Sequence, residues 1–540
     1  MDSGKFIEVK KNSFWLFALL LCILLIAEMS RDINRPFTGL HSWGEAAGAW
    51  RARNFLRYDI SYTKGLAVWA VGDPPTETPN RSLDHPQFGL FLPALDMLIF
   101  GADERGLRIG GILRAVISLL IFLKLLKNFL DSKTALIAGL IFVIVPVTGY
   151  FGVRGWVTPV GLAACWLYLT IIGSIKTRHN PGAYHKLVLA VLLFLLLQLA
   201  WEGFFYAMAI GVHYVFHCIH RKQFPQKSML AIVIIAPLSS MIINFTIMAA
   251  GHNWDWQKIL ALYQWRAGSG EMPEHDWGKW FARFWEFAIT NFTLPVLVIS
   301  IFYWTLGQML LLTSEGTGKK PSAPQKFPQF WLFLMPAIFQ LFILKGALWW
   351  HQYWQTPLVT FIAISVALAI TLICRLLSRI HPAASIMGFI LIVGVIFMSC
   401  IQGWNSYYQR VDFSKEKVEL FKTLNQDIPS NTALLSFENF VRTQHPTKGP
   451  HYRPEIAWYL DREIIEVSSI EEINKYAETK KYPYYLIPAY QQLTPLINSL
   501  QKQYKFKVYP GAASENKNGK TFKIGSPSYF VFDLNSADRS

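Results

Sequence analysis

The stretch Leu187–Ile219, LVLAVLLFLLLQLAWEGFFYAMAIGVHYVFHCI, decides how often this chain crosses a membrane. As one continuous helix rising 1.5 Å per residue it would run about 50 Å, against a hydrocarbon core of about 30 Å. Divided at Trp201-Glu202-Gly203 it gives two short spans, 187–200 and 204–219, with Glu202 at the edge between them. Counted as one helix, it would invert every later loop and place Arg221, Lys222 and Lys227 outside. The division keeps them inside, with the other basic loop residues.

The surrounding chain is of the same kind. Its 540 residues are 52% hydrophobic and 16% charged, with a mean hydropathy of +0.28. That composition excludes an ordinary soluble protein. Eleven spans are expected, near 14–30, 106–126, 135–151, 159–175, 187–200, 204–219, 228–250, 294–313, 329–345, 357–374 and 384–401. The run FGLFLPALDMLIF, 88–100, is shorter and contains Pro93 and Asp96, so it reads as a helix lying at the interface. Phe14–Ala27 leads into Glu28, Met29 and Arg31 without a small-residue cleavage site, and is expected to be a retained first span.

A formal charge of +16 could suggest nucleic acid, but the basic residues are concentrated in short loops between apolar runs. With the N-terminus inside, seventeen lysines and arginines, from Lys5 to Arg379, fall on inner segments. The short outer connections hold only Arg154 and Lys345. This is the positive-inside pattern. The five cysteines (Cys22, Cys165, Cys218, Cys374, Cys400) sit in or beside apolar runs, without metal-ligand spacing or a disulfide framework.

The fold class expected is therefore mainly α: a polytopic helical membrane protein with a C-terminal extramembrane α/β domain. Residues 1–401 form the membrane part, with large outer loops 31–105 and 251–293, and 402–540 form the outer domain. In that domain Lys415–Asp427, Pro454–Asp461, Ile470–Lys480 and Leu493–Tyr504 read as helices. Thr432–Phe437, Glu463–Val467, Tyr482–Ile487, Phe506–Tyr509 and Tyr529–Asp533 read as strands. It carries no phosphate-binding glycine loop, and reads as a lid or an acceptor-docking domain.

The chemistry is expected in the first outer loop. Ser42-Trp43-Gly44-Glu45 has the spacing of a helix capping box, in which both side chains satisfy backbone N–H groups. The same spacing also puts a carboxylate at the outer edge, where Glu45 could accept the proton of an attacking hydroxyl. Ala46, Ala49, Trp50, Arg53 and Phe55 would pack this helix on a membrane-facing scaffold. The loop 251–293 gathers Trp254, Trp256, Trp265, Trp277, Trp280 and Trp285 beside Asp255, Glu271, Glu274, His275 and Asp276. That cluster has no metal motif such as H-E-x-x-H, and no metal site is expected.

Three pieces in order, Trp43-Gly44-Glu45, Asp84-His85-Pro86-Gln87-Phe88-Gly89 and Arg108-Ile109-Gly110-Gly111-Ile112-Leu113, follow a first span. This arrangement resembles the GT-C glycosyltransferases, in particular the protein O-mannosyltransferase and lipid A aminoarabinose transferase group, over the membrane part to about residue 401. The resemblance implies transfer of a sugar from a polyprenyl-phosphate donor to an acceptor glycan, lipid or protein at the outer face. Glu45 would be the general base, and inversion would follow from single displacement. His85 in the Asp84-His85-Pro86 turn would donate to the carrier phosphate, with Arg154, Lys64 and Lys345 as further cations for it. Trp349-Trp350-His351-Gln352-Tyr353 resembles the family's His-x-Tyr segment, so His351 and Tyr353 would contact phosphate or sugar.

Two departures bear on mechanism. The family's first motif usually carries an acidic pair where this chain has Gly44-Glu45, and Thr158 stands where a second acid is often found. Glu202 or Asp84 could supply that acid. No cofactor is required by the sequence, a divalent metal is left open, and the partners expected are donor, acceptor and membrane lipid, not nucleic acid. The competing class is a transporter or flippase of a lipid-linked or anionic substrate. It would show repeated halves and polar midplane helices, and neither is apparent in the sequence. Loop charge and the lack of outer cysteines fit a bacterial inner membrane, N-terminus cytoplasmic.

Overall fold

Residues 187–219 form two helices. In the computed structural model the first ends at Leu199 and the second begins at Glu202, with extended backbone at Ala200 between them. The structure describes residues 11–73, 75, 80–83, 85–152, 155–176, 182–264, 276–307, 327–429, 432–438, 441–445, 449–510 and 528–536. The chain divides into two compact units, one of Met1–Ile33, Asp84–Gly89 and Arg105–Tyr408, the other of Asn34–Leu83, Leu90–Glu104 and Gln409–Ser540.

The helices run in order α1 (Lys11–Met29), α2 (Ser42–Arg57), α3 (Ile60–Thr63), α4 (Gln87–Phe100), α5 (Glu104–Leu126), α6 (Ser132–Ile144) and α7 (Pro146–Phe151). Then follow α8 (Val157–Lys176), α9 (Ala183–Leu199), α10 (Glu202–His220), α11 (Lys227–Gly251), α12 (Trp256–Gln264), α13 (Trp277–Phe292) and α14 (Leu294–Phe302). The membrane part closes with α15 (Phe327–Ile343), α16 (Lys345–Trp350), α17 (Leu358–Ile380) and α18 (Pro382–Tyr408). Among the described residues five helices are long and apolar enough to cross a membrane, or six if the bent pair α13–α14 is one span. Five shorter apolar helices accompany them.

Two prolines act in opposite ways, and one of them breaks an expected span. The expected span 135–151 is two helices, because Pro146 has no N–H and the residue before it, Val145, takes an extended conformation. In α4 the proline does the opposite: the helix runs through Pro93 to Phe100. A second break is sharp. α13 and the helix after it meet at Thr293, whose φ is +67°, and their axes differ by 103°. Trp277, Phe281, Trp285 and Ile289 form an exposed apolar stripe at four-residue spacing along α13. Trp280, Phe287 and Asn291 are buried on its other side. A helix with this pattern, bent away from an apolar span, is built to lie along an interface.

In hydrocarbon, carbonyls freed at a helix end need partners from neighbouring helices. α9 packs against α8, α10 and α11. Its last turn is served by α11, where Asn244 Nδ2 donates to the Leu197 carbonyl at 2.8 Å. Gln198 Nε2 in turn donates to Ser240 Oγ at 3.0 Å. Asn244 and Asn291, each in an Asn-x-Thr triplet, are buried and bonded within the helical unit, so neither triplet is open to glycosylation.

The turn that opens α4 rests on the same end of α9. A Cβ on Gly89 would overlap the Leu199 carbonyl, and one on Gly203 would overlap the Leu196 carbonyl. Both glycines are thus places where backbone meets backbone.

The second unit carries the α/β domain. It holds α19 (Lys415–Asp427), α20 (Pro454–Tyr459), α21 (Ile470–Glu478) and α22 (Thr494–Gln501). Its strands are β1 (Leu434–Ser436), β2 (Val441–His445), β3 (Gly449–Tyr452), β4 (Ile464–Glu466), β5 (Tyr484–Pro488), β6 (Lys505–Tyr509) and β7 (Tyr529–Asp533). Five of them form a sheet in the order β4-β1-β5-β7-β6, parallel through β4, β1 and β5 and antiparallel at β7 and β6. Leu435, Tyr485, Ile487 and Phe532 on the sheet bury against Ile473 of α21 and Leu500 of α22. The β2–β3 hairpin is not expected from the sequence.

Gly89→Ala should lower stability by about 1–3 kcal/mol, the usual range for overpacking. Thermal unfolding of the purified full chain should show a lower midpoint for Gly89→Ala and none for Gly44→Ala, whose Cβ would enter open space. Equal midpoints would contradict the close approach.

Candidate active site

Glu45 sits in the first turn of α2, and the start of that helix differs from a capping box. The N-cap is His41, with φ of 58° and no side-chain cap hydrogen bond. The Ser42 hydroxyl is used elsewhere: it donates to Glu455 Oε1 at 2.7 Å. Glu455 is fully buried and takes a second donor from Arg453 at 3.2 Å, which is why the serine is drawn away from its own helix. The His41 N–H donates to Asp412 Oδ2 at 2.6 Å, so the helix start is held by residues near the beginning of the C-terminal segment.

The rest of α2 is held in the same unit. Trp50 Nε1 donates to the Ala70 carbonyl at 2.6 Å, and Asn54 Nδ2 donates to the Val68 and Ala70 carbonyls at 2.9 Å each. Arg53 donates to the Trp458 and Ala457 carbonyls at 2.8 and 2.9 Å, and its guanidinium lies over the Trp458 ring. Asp461 closes the arrangement, 3.0 Å from Arg53 and 2.6 Å from Arg57. Burial pulls the Arg53 pKa down to about 10, with the Asp461 carboxylate opposing that pull. Arg53 therefore remains cationic at neutral pH. The expected membrane-facing scaffold for α2 is, for Trp50 and Arg53, the segments 68–70 and 457–461.

The other expected residues lie in the helical unit. Lys345 opens α16, its Nζ 5.0 Å from the centre of the Trp277 ring, while its carbonyl accepts from Trp280 Nε1 at 3.1 Å. His351 and Tyr353 stack, rings 8° from parallel with centroids 5.1 Å apart. The segment bearing them is fixed from α13, where Asn291 Nδ2 donates to the Gln352 carbonyl and to Gln355 Oε1 at 2.8 and 2.9 Å. Tyr407 of α18 donates to Asn291 Oδ1, and Gln355 Nε2 donates to the Phe284 carbonyl at 2.8 Å. Lys345, His351 and Tyr353 thus belong to one braced wall.

His85 precedes α4 and Glu202 is the first residue of α10. The His85 carbonyl accepts from Gln87 Nε2 at 2.8 Å. Gly89, in the first turn of α4, lies against Leu199 at the end of α9. Thr158, in the first turn of α8, stands where a second acid was sought. Lys64 is an exposed residue ending α3, in the second unit. Asp84 and Arg154, with Trp265, Glu271, Glu274 and His275, lie outside the described residues. Among the described residues no three His, Cys, Asp or Glu side chains are placed to hold a metal ion, and no step is routed through one.

The sequence reading missed Asp461 and the Asn291–Gln355 brace. Neither had a local signal, since the carboxylate lies some four hundred residues from its arginines and the amides sit in apolar helices. Asp461 also has φ of 50°, a left-handed conformation that asparagine tolerates. Asp461→Asn therefore removes charge while keeping the backbone. It should destabilise the second unit by about 1–3 kcal/mol, because two part-buried arginines lose their shared counter-charge. Limited proteolysis of the full chain should show faster cleavage within 34–83 and 409–540 in this variant. Unchanged cleavage would contradict the anchoring role.

Comparison with known proteins follows the same lines. The family model for dolichyl-phosphate-mannose-protein mannosyltransferases matches residues 84–243, from the His85 turn through the α9–α10 pair. No curated protein sequence matches the chain. Among solved structures, ArnT from Cupriavidus metallidurans bound to undecaprenyl phosphate superimposes with a TM-score of 0.57 at 12% identity, over 97% of this chain and 98% of ArnT. Its apo form gives 0.56 at 10% identity, over the same shares. The archaeal oligosaccharyltransferase AglB from Archaeoglobus fulgidus, in complex with an inhibitory peptide and a dolichol-phosphate, gives 0.55 at 11% identity, over 96% of this chain and 75% of AglB. The chain is thus a multi-pass helical membrane protein with the fold of the GT-C glycosyltransferases, as the motifs around Glu45, His85 and Arg108 led one to expect.

Proposed function

We propose that this protein is a glycosyltransferase that takes a sugar from a polyprenyl-phosphate donor and passes it to an acceptor hydroxyl or amine at the outer face of the membrane. The observation that carries the reading is a fold shared along nearly the whole chain with ArnT, a protein whose structure holds undecaprenyl phosphate. The match of the mannosyltransferase family model to 84–243 supports it independently.

The proposed step is a single displacement. The acceptor oxygen or nitrogen attacks the anomeric carbon, and the bond from that carbon to the phosphate oxygen breaks. The polyprenyl phosphate leaves with the electron pair. Glu45 takes the acceptor proton, so its carboxylate must be ionised and held still. The fixed geometry of α2 supports that second requirement. A phosphate leaves without an acid to protonate it, and one carboxylate suffices where a glycosidase needs two. The anomeric configuration inverts.

Lys345, His351 and Tyr353 are proposed to receive the phosphate, with His85 and Arg154 as further donors. Charge-assisted hydrogen bonds to an anion are about twice as strong as neutral ones, and rigid donors need no reorganisation as charge develops. The Asn291–Gln355 brace supplies that rigidity on the His351 side. Asp84 and Glu202 are proposed to line the substrate's path. Loop charge favours a bacterial inner membrane with a cytoplasmic N-terminus, and the α/β domain is proposed to dock the acceptor on the outer side.

Glu45→Gln tests the base. In lipid nanodiscs with a radiolabelled polyprenyl-phosphate sugar, turnover should fall by about 10²–10⁴-fold, the usual contribution of a general base. Donor binding should stay within a few-fold of the parent chain. Turnover near the parent rate would remove Glu45 from the chemistry.

A further inference from the structure

Glu28, in the last turn of α1, was passed over as part of an apolar run, yet it ends in a polar cluster inside the helical unit. Glu28 Oε1 and Trp404 Nε1 are both buried and without a hydrogen-bond partner. They meet across Gly149 of α7: a Cβ there would stand 2.9 Å from Glu28 Cγ and 3.0 Å from Trp404 Nε1. One residue earlier, Thr148 Oγ1 is a third buried atom with no partner. Trp404 and Thr148 are 5% and 1% exposed. Arg31, three residues on, and the Tyr408 hydroxyl both act on the Glu28 carboxylate. Arg31 also donates to Asn405 Oδ1 at 3.2 Å with its guanidinium over the Tyr408 ring. That leaves Oε1 as the carboxylate's unpaired atom.

Buried polar atoms are almost always satisfied, so two orphans from α1 and α18 that meet across one glycine, with a third on the residue before it, need an account. Their chemistry narrows it. An ionised carboxylate only accepts and an indole N–H only donates. A phosphate would be repelled by Glu28, and a cation, which accepts no hydrogen bond, would leave the indole N–H unpaired. A hydroxyl can donate to Glu28 and accept from Trp404 at once. The surroundings are aromatic as well. Tyr408 donates to the Glu28 carbonyl at 3.2 Å, and Tyr150, next to Gly149, stacks on Tyr407 with centroids 5.1 Å apart. Ring faces beside a hydroxyl-complementary pair match the two kinds of surface a sugar presents.

We infer that Glu28 and Trp404, with Thr148 beside them, form a subsite for hydroxyls of the donor sugar, separate from the groups that hold its phosphate. The inference rests on the proposed transfer for its ligand class. It makes Glu28 a sugar-binding carboxylate, distinct in role from Glu45. Gly149 is the residue that leaves room between the two side chains.

The test uses the full chain in nanodiscs with ¹⁵N-labelled tryptophan. The Trp404 indole resonance is assigned by its loss in Trp404→Phe. The probes are polyprenyl-phosphate-linked mannose, glucose, galactose and aminoarabinose, with polyprenyl phosphate alone as reference. At least one sugar-linked probe should move the Trp404 resonance while the bare carrier leaves it in place. Glu28→Gln, which keeps the shape, should weaken that sugar-linked probe by about tenfold or more, as expected for a buried hydrogen bond to a charged group. It should leave affinity for the bare carrier unchanged. A resonance that moves equally with the carrier alone, or with none of the probes, would overturn the subsite. So would an unchanged affinity in Glu28→Gln, and the pair would then hold structural water only. Failure of the transferase reading is distinguishable: the resonance would respond while no carrier phosphate is released.

Discussion

Asp461 is the residue on which the second unit depends. Its carboxylate neutralises Arg53 and Arg57 together, and Arg53 would otherwise be a largely buried cation with backbone carbonyls and the Trp458 ring but no counter-charge. An isolated buried charge is among the most destabilising features a fold can contain, so this contact fixes where α2 can lie. Everything else about α2 is consistent with that anchoring. Ser42 gives its hydroxyl to Glu455, His41 gives its N–H to Asp412, and Trp50 and Asn54 hold the 68–70 segment. The helix that carries Glu45 is therefore bound to the C-terminal segment, not merely tethered after a first span.

The helical unit answers to a different constraint. The carbonyls freed where its helices end or break are served by side chains of neighbouring helices. Asn244 serves the end of α9, and Asn291 serves the segment that follows α16. Amides in apolar helices are thus brackets that hold irregular backbone in place. The backbone they hold is the stretch bearing His351 and Tyr353, and the end of α9 against which Gly89 packs. His351 and Tyr353, proposed for donor binding, stand on such a braced segment rather than within regular α-helix.

The fold was readable wherever a periodic or charge signal was local. Trp201-Glu202-Gly203 divided the long apolar run because a single helix would outrun the bilayer. The five strands of the main sheet, β1, β4, β5, β6 and β7, showed as short apolar runs between helical stretches, and each appears within a few residues of its expected place. Breaks set by one residue's stereochemistry were harder to read. Pro146 ends α6 whereas Pro93 sits within α4, and nothing in their immediate neighbours separates the two cases. The candidate site was proposed from motifs around Glu45, His85 and His351. What binds those motifs was not, because Asp461, Glu455 and Asn291 act across long sequence separations. Glu28 was hidden for another reason: one carboxylate at the end of an apolar run looks like a boundary marker until its neighbours are known.

The central claim is that sugar leaves its lipid carrier on this protein in one displacement. The most direct measurement is the anomeric configuration of the product formed from a C1-labelled polyprenyl-phosphate sugar, followed together with release of carrier phosphate. The account predicts a glycosylated acceptor of inverted configuration and one carrier phosphate released per product. Retained configuration, or movement of the intact donor across the membrane without phosphate release, would contradict it.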